Sequence, residues 1–115
     1  MKRRLSKVER WRAESEDGIS VSLLHESTLR YERGGQSLLL VADQAITAEI
    51  VLVTKVFIHS GLRWLESSRR LSAREMTFMV HDISDGLLAI GAVPLFLPHP
   101  SSALLGLPDE VEYPN

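Results

Sequence analysis

The architecture turns on SAREMTFMVHDISDGLLAIG, Ser72 to Gly91, the one segment with a sustained helical period. At 100° per residue, Met76, Met79, Val80, Ile83, Leu87 and Ile90 fall within about a third of the circumference, the width of a stripe that faces a core. Ser72-Ala73-Arg74-Glu75 has the form of a capping box, in which the Ser72 hydroxyl and the Glu75 carboxylate satisfy amide donors orphaned by the first turn. Gly91 stands where a left-handed residue ends a helix. On the other side of the wheel lie Arg74, Phe78, His81, Asp82 and Asp85, within about 100° of one another and expected to face solvent. Phe78 is the odd member, because a large ring should prefer cover. The N-terminal arm, the C-terminal tail or a partner protein would supply it.

Upstream of the helix the period shortens to two. ISVSLL (Ile19–Leu24) reads as a first strand. TLRYER, GG and QSLLLVA then read as a hairpin, because Gly34 and Gly35 accept positive φ without strain. AEIVLVTKVFIH (Ala48–His59) is apolar on both faces from Ile50 onward and is expected inside the sheet. SGLRWLESSRR (Ser60–Arg70) reads as a connection with one short turn of helix, and Trp64 as a lid on the core. After the helix, AVPLFL (Ala92–Leu97) returns as a strand, placed at an edge because Pro94 cannot donate to a ladder. The expectation is one α+β domain over residues 19–97, mainly an antiparallel β-sheet with one long helix packed on one face. Residues 1–18 are expected to be a solvated or loosely helical basic arm, and 98–115 an irregular tail.

Composition narrows the function classes. The chain has 115 residues, 44% hydrophobic and 24% charged, enough for a core without staples. With no cysteine it has no disulfides, thiolate metal sites or cysteine nucleophile. No apolar run is long enough to span a bilayer, and no signal-peptide core follows the basic start, so a cytoplasmic protein is expected. The first twelve residues carry six basic side chains against Glu9, so a total of -2 leaves the rest at about -7. A basic arm without aromatic interleaving beyond Trp11, on an acidic body, does not point to nucleic acid.

Chemistry has little to work with. His81 and Asp85 are i, i+4 neighbours, but two donors make no metal site, and His25, His59 and His99 lack ligand spacing. There is no Gly-x-Ser-x-Gly elbow, and ERGGQS lacks the lysine and spacing of a phosphate loop. No catalytic residue, metal or cofactor is expected, and the protein reads as a non-enzyme.

Taken together, STLRYERGGQSLLLVAD and VFIHSGLRWLESSRRLSAREMTFMVHDISDGLLAIGAVPLF resemble a family of small immunity proteins from bacterial polymorphic toxin and contact-dependent growth inhibition systems, over roughly residues 26–97. The shared pattern is Tyr31-x-x-Gly34-Gly35, a strand ending near Trp64, Leu71-Ser72-x-x-Glu75, the helix, Gly91 and a final strand. The chain departs from it at Asp43, where a glutamate is usual, and at Leu65-Glu66-Ser67, where a proline usually follows the tryptophan. The resemblance implies stoichiometric binding of a cognate toxin domain, without a reaction. The acidic body would suit a basic, nuclease-type toxin, with Arg74, Phe78, His81, Asp82 and Asp85 as the contact face. The alternative is a regulatory or scaffold module that binds another protein or itself through the Phe78 face or the edge at Pro94.

Overall fold

The computed structural model describes residues 5–25, 27–59 and 61–98. They form an α+β fold, a seven-stranded sheet in sequence order with a single helix packed against it. The strands are β1 (Ser6–Glu9), β2 (Arg12–Glu14), β3 (Ser20–His25), β4 (Thr28–Arg33), β5 (Gln36–Ile46), β6 (Leu52–Ile58) and β7 (Val93–Pro98), with α1 (Ala73–Ala89) between β6 and β7. All neighbours pair antiparallel except β6 and β7, which are parallel. A parallel neighbour cannot be reached by a tight turn, so the chain crosses over through α1.

The glycine hairpin joins β4 to β5 with φ of 59° at Gly34 and 77° at Gly35, the left-handed pair that a primed turn demands. That turn fixes the register Tyr31↔Leu38 and Leu29↔Leu40, which sends all four side chains into the core. β5 then serves two partners, pairing with β4 through Val41 and with β6 from Ala42 onward. As expected, β6 is interior and β7 is an edge strand.

The helix presents its expected stripe. Met76, Met79, Val80, Ile83, Leu87 and Ile90 are all buried, facing a core that includes Val21, Leu29, Tyr31, Leu38, Val56 and Ile58. The capping box is present, and Gly91 ends the helix at φ 87°.

Two expectations are corrected. Residues 6–14 are not an arm but strands β1 and β2, so the sheet begins well before residue 19. Leu5 and Ala13 sink into the core at 3% and 0% exposure while the charges of β1 all face water, so two small apolar anchors suffice to hold a strongly charged hairpin. The 60–70 connection holds no helical turn in its described part; an Arg63↔Arg70 bridge and turns shape it. It is docked on the sheet by the Leu65 N–H, which donates to the Ser37 carbonyl at 2.8 Å. The expected irregular tail from 99 onward lies outside the described residues.

Candidate functional site

Tyr31 and Arg33 are two apart on β4 and therefore share a face, the one turned to α1. There they meet Asp82. The Tyr31 hydroxyl donates to Asp82 Oδ2 at 2.6 Å, and Arg33 donates to the same oxygen at 2.8 Å. Asp82 is 6% exposed, which corrects the expectation that it faces solvent. The physical reason is that α1 is sunk deeper than its apolar stripe implies. Gly86 lies against Val21 and Leu5, and the Asp85 carboxylate accepts from the Leu5 N–H at 3.2 Å, so the N-terminal hairpin walls one flank of the helix. Burial and the Asp82 contact together push the Tyr31 phenol well above its ordinary value.

The same strand end explains Phe78. Its ring is half-buried between two guanidinium groups, Arg33 at 4.6 Å from the ring centroid and Arg74 at 5.3 Å. Cations over a ring face are attracted by its quadrupole, so the arginines that cover Phe78 are also held by it.

Beside this clamp is a cavity of about 190 Å³ lined by Arg33, Gly34, Gln36, Trp64, Glu75 and Phe78. Trp64 stacks on Tyr31 at 6.2 Å between centroids and is 3% exposed, the lid expected of it. Its indole N–H donates to Glu75 Oε2 at 3.3 Å. Glu75 also takes both arms of Arg69, at 2.8 and 2.7 Å, and the Ser72 N–H at 2.9 Å. Arg69 first, with the Ser72 amide, holds the Glu75 carboxyl down at about 2. On the neighbouring rim, Glu66 accepts from the Ser37 N–H and hydroxyl, which lower its carboxyl.

The structure therefore brings together Arg74 and Phe78 of the expected face, with Asp82 beneath them. His81 is exposed and forms no pair with Asp85 among the described residues, since Asp85 is turned to Leu5. Sequence reading missed Arg33, Gln36 and Arg69. The available signal was Arg33 at i+2 from Tyr31, just before the glycine turn. No group of three or more His, Cys, Asp or Glu placed to hold a metal ion occurs among the described residues, and none of their helices is long and apolar enough to cross a membrane.

No family model, curated protein or solved structure matches the chain.

Proposed function

We propose that this chain is an immunity protein, which binds a cognate toxin domain in the cytoplasm and neutralises it stoichiometrically without catalysing a reaction. The observation that carries the reading is convergence. Of the residues that carry the resemblance, Gly34, Trp64 and Glu75, from three separate segments, line one cavity, with Tyr31 stacked on Trp64 and Ser72 bonded to Glu75 behind it. A hydrogen bond to Asp82 and the ring contact hold Arg33 and Phe78 together at a partly open rim, and arginine and aromatic residues are among the side chains that dominate protein interfaces. Co-purification tests it: the tagged chain, co-expressed with the toxin domain encoded next to it, is expected to retain that domain at one-to-one stoichiometry. A chain recovered alone would remove the reading.

A self-associating module is the second reading, favoured by a different observation. On the face of the sheet opposite α1, Leu39 and Val41 of β5 and Val93 and Leu95 of β7 are each more than 40% exposed. Light scattering on the purified chain separates the two, because a self-associating module is a dimer or larger at micromolar concentration and a toxin-binding immunity protein does not need to be.

A further inference from the structure

Resting on the immunity reading, we infer that the Arg33–Phe78–Arg74 clamp receives an aspartate or glutamate side chain of the partner, so the partner's contact segment is acidic. The inference follows from which hydrogen-bonding groups at the cavity are already engaged. The side-chain acceptors at and beside it are taken: both Glu75 oxygens by Arg69, Ser72 and Trp64, Asp82 Oδ2 by Tyr31 and Arg33, and Gln36 Oε1 by the Ser67 hydroxyl at 3.0 Å. What remains are donors. Arg33 gives Asp82 only one of its nitrogens, and Arg74 has no carboxylate partner among the described residues. The side-chain amide of Gln36 keeps its N–H groups. A group that only accepts completes such a set, and a carboxylate does so with two oxygens matched to a guanidinium fork.

Surrounding charge agrees. Arg33 lines the cavity, Arg69 pairs with its Glu75 and Arg74 stands over its Phe78, while the carboxylates Glu75 and Asp82 are engaged within the fold. The cavity, at about 190 Å³, is below the roughly 300 Å³ at which drug-sized pockets begin and accommodates a carboxylate whose methylenes rest on Phe78. The basic partner expected from the sequence rested on the acidic balance after residue 12 together with Asp82 and Asp85, and of these the two carboxylates are turned to groups of their own chain.

The test titrates a blocked Gly-Glu-Glu-Gly peptide into isotope-labelled full-length protein while the arginine side-chain N–H signals are followed by NMR. A Gly-Lys-Lys-Gly peptide and inorganic phosphate serve as parallel probes. The expected result is saturable movement of the Arg33 and Arg74 signals with the glutamate peptide alone, weakened about tenfold in Arg74→Glu. Arg74 is exposed at the second helical position, where an acidic residue favours the helix, so this variant should fold, as the dispersion of its amide spectrum checks. No saturation by the glutamate peptide, equal movement with lysine, or an unchanged titration in Arg74→Glu overturns the inference. Phosphate acting as strongly as the peptide reassigns the clamp to small anions and overturns it too. The neighbouring toxin domain separates this inference from the function it rests on. A toxin that binds wild type and Arg74→Glu at equal rates keeps immunity and overturns the acidic contact. A toxin that binds neither removes immunity, while the peptide titration still decides the chemistry of the clamp.

Discussion

At the scale of single residues, Asp82 carries the most structural weight for the least visible signal. On a helical wheel it sits 60° from Met79, at the margin of the apolar stripe, where an aspartate is ordinarily wet. Only the third dimension supplies Tyr31 and Arg33 as its partners, so no pattern within α1 could have revealed its burial. Asp82→Ala leaves a buried phenol and a half-buried guanidinium without their acceptor, and should destabilise the fold by about 2–4 kcal/mol in urea denaturation. Ile83→Ala, a cavity in the core stripe, should fall in the same range. Gly86 gives the opposite lesson about propensity. Alanine is the better helix former, yet its Cβ would lie 2.7 Å from Val21 Cβ, so Gly86→Ala should lower stability by about 1–3 kcal/mol. Thr54 is fully buried and its hydroxyl has no hydrogen-bond partner among the described residues. Thr54→Val should therefore raise the denaturation midpoint, by about 1 kcal/mol of stability.

At the scale of elements, the helix and the glycine hairpin were legible because each is specified locally, by a 3.6-residue stripe with caps and by two consecutive glycines. β1 and β2 were not, since short, charged strands, the first of them exposed at every residue, look like an arm until Leu5 and Ala13 are seen to be buried. The cap of α1 also makes a pH prediction. The Glu75 carboxyl is lowered from 4.5 to about 2 in the folded chain, chiefly by Arg69. A depressed carboxyl stabilises the fold fully above its unfolded value, and that contribution is lost as pH falls through the folded value. The stability difference between wild type and Glu75→Gln, about 1–2 kcal/mol at neutral pH, should hold down to about pH 4.5 and vanish toward pH 2. Paired denaturation series at several pH values would measure it, and a difference independent of pH would mean that Arg69 and the cap do not discriminate carboxylate from amide.

At the scale of the whole molecule, the sheet and helix bring Gly34, Trp64 and Glu75 around one cavity, and the fold class follows from sequence period while the site does not. Arg74 and Phe78 were marked by their helical face, but Arg33, Gln36 and Arg69 join them only through the β4–β5 hairpin and the connection that docks on Ser37. The central claim is inhibition by occupancy, which differs from any catalytic mode of neutralisation in its stoichiometry. Titrating a fixed amount of a candidate toxin domain, encoded beside this chain and retained by it in co-purification, with the purified chain, and assaying the toxin's activity at each step, tests that directly. The account predicts a straight decline that reaches zero at one equivalent, displaced to higher amounts in Phe78→Ala. Full inhibition at a small fraction of one equivalent, or activity untouched by an excess, would contradict it.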